Sequence, residues 1–548
     1  MTLSARYDQL AGLAAGVDVL VIGGGITGAG VALDAATRGY RVGLVEQADF
    51  AGGTSSRSTK LVHGGLRYLA RAELGLVAEA LRERGRLLHL APHLVQPQPF
   101  LLPLYNGMAR PLGLRLPPPL RGWTSPAVGL VLWGYDRLAR ADGLRHRRLT
   151  AAEAAAMVPA LRTEGLRAAF LLYDAATDDV RLTHTVLATA RRFGAVTVNY
   201  ARVASLLHEQ GRVAGAVVED RLTGSSVVVR ARHLVNATGV WAEEVAAMDG
   251  PPSFRLRPSK GVHLVLRREV LGTQVAVILP ETEDGRIAFV VPWAERALLG
   301  TTDDPYTGPL EAPATSRQEA AYLLRHARRY LRRVEGADVV GACAGLRPLV
   351  EAGGGRVADL SREHAVVESP RGLVSVIGGK LTTYRQMAED AVDLLARRDG
   401  GGRPCRTATL PLAGTEELDT ARRALARSGL APEQQRHLLR SYGGASLEIL
   451  ALGGADPVLL HPLVDGLPVV GGEVVYACRE EQAVSLADVM FLRTRLSLLA
   501  EDAGEGAVER VSALMAAELG WSADERSRQR RRWEAAVERD RGALAGLA

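Results

Sequence analysis

The sequence predicts a mixed α/β and α+β protein: a Rossmann-type dinucleotide-binding unit at the N-terminus, a β-rich middle on an antiparallel sheet, and an all-helical C-terminal region. Three observations predict it. A nearly continuous apolar run, Asp18 to Ile22, leads straight into Gly23-Gly24-Gly25-Ile26-Thr27-Gly28 and then a helix-like stretch. Strand-like and hairpin-like segments recur up to Gly300. Beyond Gly414, amphipathic helical spacing dominates.

The elements follow in order. The run at 18–22 suits a buried parallel strand, and the glycines after it each have a task. Gly23 makes the tight turn, Gly25 lets backbone N–H groups approach a pyrophosphate at the helix N-terminus, and Gly28 lets helix and strand pack closely. A second strand, Arg41 to Val45, ends in Glu46, 21 positions after Gly25, where an acid accepts ribose hydroxyls. Glu46 disfavours a 2′-phosphate but does not choose between NAD and the ADP half of FAD. The next segment favours the latter, because the chain enters a hydroxyl-rich loop (52–59) and His63-Gly64-Gly65 instead of further βα units. Such a loop has no apolar face to bury and needs a polar ligand to order it.

Leu74 to Leu90 reads as an amphipathic helix, and strands are expected at 196–200, 213–219, 227–230 and 234–237. The stretch 256–300 reads as hairpins, followed by a helix over 316–332. Residues 397–414 are linker-like, and the charged tail 524–541 reads as a solvated helix.

At 548 residues the chain exceeds what one core usually fills, so two or three domains are expected. The formal charge of +6 is spread along the chain and argues against nucleic acid as the main partner. Three distant cysteines offer neither disulfides nor a metal site and suit a reducing compartment. Residues 1–16 do not read as a secretory signal, and no run approaches a transmembrane helix. Residues 110–148 combine arginines and prolines with Trp123, Trp133 and Tyr135 around a short apolar run, a mixture suited to a bilayer interface.

Of the 67 basic residues only Lys60, Lys260 and Lys380 are lysine. Lysine and arginine differ where a compact ammonium must fit close to a dipole or ring. The three therefore point to the segments 54–68, 257–263 and 376–384 as site architecture.

The segments VIGGGITGAG, TSSRSTKLVHGGLRYL, LVNATGVWA, KGVHLVL, LLGTTD, GLRPL and VIGGKLTTYR resemble, in that order, the FAD-dependent glycerol-3-phosphate dehydrogenases, which belong with the D-amino acid oxidase-like flavoproteins. The resemblance runs from about residue 17 to 390. It implies noncovalent FAD, oxidation of sn-glycerol 3-phosphate to dihydroxyacetone phosphate, and electron delivery to a membrane quinone. It also implies a cytoplasmic protein held peripherally on the inner face of the cell membrane, with the oligomeric state left open, a homodimer included. The dinucleotide domain is then expected to be discontinuous, over 17–95, 165–250 and 340–397. A substrate domain is expected over 96–164 and 251–339, a linker over 398–414 and the helical domain over 415–548.

Oxidising a secondary alcohol needs a base, a hydride acceptor and anchorage for the rest of the molecule. FAD would be the acceptor. Cofactor contacts are expected from Gly23, Gly25, Thr27, Gly28, Glu46, Thr54, Ser55, Ser58, Thr59, Gly239, Gly379, Lys380, Leu381 and Thr382. Gly378-Gly379-Lys380 and a helix capped by Thr382 and Thr383 would place positive charge at the flavin's pyrimidine edge. A phosphate of about two negative charges suits arginine forks; Arg67, Arg347 and Arg362 are the candidates, with Tyr68 adding a hydroxyl. His263 is the candidate base, two residues from a glycine on a strand. Thr302 and Asp303 are expected to hold the glycerol hydroxyls or orient His263. An oxidase passing electrons to O2, or an amine or amino-acid oxidase on the same fold, is the alternative. The 43 residues between Asp303 and Arg347 leave little room for the insertion that marks the glycerol-phosphate oxidase branch.

Overall fold

A computed structural model describes residues 3–65, 73–108, 124–139, 144–351 and 364–547. Its first sheet has the strand order His364–Glu368, Val374–Gly378, Ser226–Asn236, Val17–Ile22, Val42–Val45, Val196–Val198. The first pair is antiparallel and the others are parallel. Helices Ile26–Thr37, Asp179–Arg192 and Tyr384–Arg398 pack together beside it and close its core with Val19, Val21, Leu44 and Val235.

The two strands expected at 227–230 and 234–237 are one. Ser226–Asn236 changes partner midway: residues 226–230 pair antiparallel with Arg212–Asp220, and residues 231–236 pair parallel with Val17–Ile22. The polar residues between the apolar runs mark the handover and not a turn.

The second sheet runs Asp304–Pro305, Leu256–Arg267, Arg296–Gly300, Ala288–Trp293, Ala276–Leu279, Gln96–Tyr105, Leu166–Ala176, Leu61–Val62. It is antiparallel except where Ala276 and Val277 meet Phe100 and Leu101 in parallel. Strand Val339–Val350 pairs with Leu256–Arg267 along almost its whole length. Three stretches grouped by sequence with the dinucleotide domain, namely 61–62, 166–176 and 340–350, thus belong to the substrate sheet. Their apolar composition suits either sheet, and only pairing decides between them.

From Leu418 the described chain is helical up to its end apart from one isolated bridge, Pro462 to Val470. This region is not appended loosely. Val489, Met490, Leu498 and Val511 share one core with Val265, Trp293, Leu298 and Cys343 of the second sheet. The tail helix Ala523–Arg541 is polar over most of its surface, yet it inserts Trp533, 1% exposed, whose Nε1 donates to Ser497 Oγ at 2.8 Å. It is a docked helix, contrary to the solvated one expected. Among the described residues no helix is long and apolar enough to cross a membrane.

Candidate active site

The glycine motif folds for steric reasons. Gly23 has φ +110°, and a Cβ there would sit 2.6 Å from Ala237 O; at Gly28 it would sit 1.9 Å from Gly23 O. No side chain fits either place. Gly25 is the N-cap of helix Ile26–Thr37, and Ile26 N donates to Ser55 Oγ at 2.9 Å. Beside this turn lies a groove of about 610 Å³ lined by Gly23, Gly25, Thr27, Glu46, Thr54, Ser55 and Gly239. Gly28 stands behind it as packing. The Glu46 carboxylate accepts from Gly24 N at 2.6 Å and Ala48 N at 2.9 Å; burial raises its pKa despite those bonds.

A second cavity, about 290 Å³, lies under the antiparallel sheet. Ser58, Thr59, His263, Asp303, Arg347 and Thr382 line it. Thr54, Ser55, Gly378, Gly379, Lys380 and Leu381 line both cavities, forming the wall between them. A groove with a glycine cradle and an acid at the end of the second strand, joined by a glycine-rich wall to a largely apolar cavity that also holds His263, Asp303 and Arg347, fits a molecule with an ADP half and a redox-active ring.

Strand periodicity arms the reaction cavity. Along Leu256–Arg267, residues 259, 261 and 263 share a face. His263 lies opposite Gly300 and Arg347 opposite Ser259. His263 is 2% exposed, and its Nε2 lies 2.9 Å from Thr59 Oγ1. Burial, then the charges of Arg347 and Lys60, pull its pKa down to about 3, so it is neutral at pH 7. Arg347 donates to Asp303 Oδ1 at 3.1 Å, Thr301 Oγ1 at 3.0 Å and Thr302 O at 3.1 Å, while Ser259 Oγ also donates to Asp303.

A match to FAD dependent oxidoreductases covers residues 18–385, and a match to the C-terminal domain of alpha-glycerophosphate oxidase covers 405–526. Glycerol-3-phosphate dehydrogenase 2 of Mycobacterium tuberculosis is 40% identical over 530 residues, spanning 95% of this chain and 88% of its own. The chain belongs to the FAD-dependent glycerol-3-phosphate dehydrogenase family. The mitochondrial glycerol-3-phosphate dehydrogenase of Mesocricetus auratus is 38% identical, over 92% of this chain and 71% of its own. The crystal structure of glycerol-3-phosphate dehydrogenase from Bacillus halodurans complexed with FAD superposes with a TM-score of 0.81 at 30% identity, covering 99% of both chains. Glycine oxidase from Bacillus cereus, at 19% identity and TM-score 0.51, shares the fold.

As an FAD-dependent dehydrogenase of this family, the chain uses its three lysines differently. Lys380 lines both cavities. Lys260 points away from the cavity, donating to Ala314 O at 3.0 Å and pairing with Glu319 at 2.9 Å, which ties the His263 strand to helix Arg317–Arg328. Lys60, 2% exposed and at φ +60°, pairs with Asp179 at 2.8 Å and packs over Trp293.

Three expectations need correction. Thr302 turns inward, its Oγ1 taken by Val262 N at 3.0 Å, and its neighbour Thr301 lines the cavity instead. Thr382 and Thr383 do not cap the helix with their side chains: Thr382 Oγ1 accepts from His63 N at 3.1 Å, joining the two glycine-rich loops, and Thr383 Oγ1 turns back to Lys380 O. Ser58 spends its hydroxyl on Asp179. Arg67, Tyr68 and Arg362 lie outside the described residues.

Sequence reasoning missed Arg57 and Arg286, which also line the reaction cavity. No motif marks Arg286; it is placed there by pairing with Asp284 and Asp304. Also missed are the glycines that make room for the chemistry. A Cβ at Gly261 would lie 2.4 Å from Arg347 Nη2, and one at Gly300 would lie 2.2 Å from His263 Cδ2. Gly300→Ala is therefore expected to displace His263 and slow flavin reduction roughly a hundredfold while FAD content stays at the parental level. Parental reduction kinetics with the parental flavin spectrum would sink this.

Proposed function

We propose that this protein oxidises sn-glycerol 3-phosphate to dihydroxyacetone phosphate and hands the electrons to a membrane quinone. The observation that carries the substrate is the Arg347 guanidinium beside neutral His263, with Arg57 and Arg286 also on the lining, in a cavity that shares a wall with the dinucleotide groove. A phosphate suits an arginine fork of this kind. The relatives named glycerol-3-phosphate dehydrogenase support the same reading.

FAD, held by the glycine turn at 23–25, Glu46 and the wall at 378–381, would supply the two-electron acceptor for the C2 hydride. The chain's own residues do the rest. Arg347, held by hydrogen bonds to Asp303 and Thr301, anchors the anion. His263 takes the proton of the C2 hydroxyl, its ring fixed by Thr59. The two cations that depress its proton affinity are Arg347 and Lys60. A phosphate dianion in the cavity offsets their field, so substrate binding strengthens the base at the moment it is needed.

Peripheral membrane attachment on the cytoplasmic side is part of the proposal. Helix Thr124–Ala139 buries Val128, Leu132 and Tyr135 but leaves Leu130 69% and Trp133 53% exposed, with Arg137 stacked 4.8 Å over the indole. An aromatic, an aliphatic and a cation on one exposed face suit the headgroup boundary.

The test is anaerobic. The purified yellow protein is expected to bleach on addition of glycerol 3-phosphate and not on addition of glycerol, then to recover its colour faster with a short-chain quinone than with air. Bleaching by an amino acid alone would overturn the substrate, and faster recovery in air would favour the oxidase reading.

A further inference from the structure

The C-terminal region reaches into the active-site loop through one side chain. Arg495 follows the helical turn Asp488–Arg493, is 4% exposed, and holds left-handed backbone angles, φ +60° and ψ +13°, unusual for a residue with a side chain. Its Nη2 donates to Asp179 Oδ1 at 2.5 Å and to Asp178 Oδ1 at 3.4 Å; its Nη1 donates to Ser56 O at 3.3 Å and Phe491 O at 3.2 Å. Asp179, fully buried, is the centre of this cluster. Its Oδ1 also takes Lys60 Nζ at 2.8 Å, and its Oδ2 takes Ser58 N at 3.0 Å and Ser58 Oγ at 2.7 Å. Ser56, Ser58 and Lys60 are thus all clamped on one side, and the residue between the last two is Thr59, whose hydroxyl meets His263 Nε2.

Two cations, Lys60 and Arg495, face two carboxylates, Asp178 and Asp179, inside the protein. Such a cluster is weak evidence for stability, because apolar residues of similar volume often serve as well. What it does supply is position. The loop 54–60 contributes hydroxyls to both cavities, is rich in serine and threonine, and has no core of its own. On its other side it is pinned by Thr54 Oγ1 donating to Leu346 O at 2.6 Å and Arg57 Nη1 donating to Ala344 O at 2.9 Å. Lys60 keeps other anchors, Thr177 N donating to its carbonyl at 2.9 Å and its own Nζ donating to Ser56 O at 3.1 Å, but without Asp179 and Arg495 Ser58 would lose both its bonds to Asp179, and Thr59 would be less firmly set against the base.

We infer that Arg495 and Asp179 are positioning residues for the oxidation: through Ser58 and Lys60 they fix Thr59 against His263, which makes the C-terminal helical region a working part of the active site. The inference rests on the proposed role of His263 as base.

The test is a double-mutant cycle on the holoenzyme, read as the limiting rate of anaerobic flavin reduction by glycerol 3-phosphate together with the substrate dissociation constant. Arg495→Gln and Thr59→Ala are each expected to slow reduction roughly tenfold or more, with the dissociation constant nearly unchanged because the phosphate anchors are untouched. The double variant is expected to be no slower than the worse single variant, since both break one linkage. Independent, multiplying effects would assign Arg495 a structural role only and overturn the inference, as would parental reduction by Arg495→Gln. If Arg495→Gln does not yield holoenzyme, Ser58→Ala, which removes one hydroxyl, takes its place in the cycle under the same criteria. His263→Gln is run alongside. Parental rates in that variant would overturn the proposed base, whereas a slow His263→Gln beside an unaffected Arg495→Gln would overturn the positioning role alone.

Discussion

Replacing Arg347 with alanine is expected to lower kcat/KM for glycerol 3-phosphate by two to three orders of magnitude. Truncating one partner of a hydrogen-bonded charge pair in a protected site costs about 2–5 kcal/mol, much of it from the partner left behind. Here that partner is Asp303, which would keep Ser259 but lose the guanidinium, leaving a carboxylate without the Arg347 charge where a phosphate must approach. The loss has two sources, a missing anchor and a new repulsion, and lysine should recover little because one ammonium cannot span Asp303, Thr301 and the Thr302 carbonyl together. Steady-state kinetics with FAD content checked by absorbance decide it. A variant within threefold of the parent would remove Arg347 from the substrate site.

His263→Gln is expected to slow flavin reduction about 10²- to 10⁴-fold, the usual contribution of a positioned general base. Glutamine keeps the side-chain volume and can still bond Thr59, so folding and FAD binding should persist. The effect belongs in the reduction step and not in substrate affinity, because His263 carries no charge at pH 7 and contributes nothing to holding the dianion. Stopped-flow reduction under anaerobic conditions separates the two. Weakened binding with an unchanged limiting rate would make His263 an anchor and move the base elsewhere, His63 being the nearest alternative in the same cavity.

Much of the dinucleotide half was legible because its signals are local. Strand, glycine turn, helix and acid follow one another from Val17 to Glu46, and Gly23 and Gly28 answer to contacts within that unit or at the end of the strand beside it. The helix at Leu74–Leu90 was legible for the same reason, since its apolar spacing is intrinsic to the segment. Sheet membership was not. Strands 61–62, 166–176 and 339–350 carry no mark of which sheet they join, and strand Ser226–Asn236 serves two kinds of pairing at once. Thr302 was misread because one step along the chain exchanges an inward-facing for a cavity-facing side chain.

The sequence by itself determined the family and the cofactor class and pointed to the segments that line the candidate site, because contiguous motifs carry them: glycines that a backbone needs, hydroxyls that a ligand must order, and lysines that survive where arginine otherwise replaces them. The tertiary structure alone decided which of the many arginines do which work. A guanidinium takes its role from neighbours brought by folding: Arg347 meets Asp303 across 44 positions and Arg495 meets Asp179 across 316. Even Lys60, found from the sequence, became a clamp on the active-site loop only when buried Asp179 and Arg495 were placed beside it. Charge, unlike chain periodicity, acts through space, so its meaning is written in the fold.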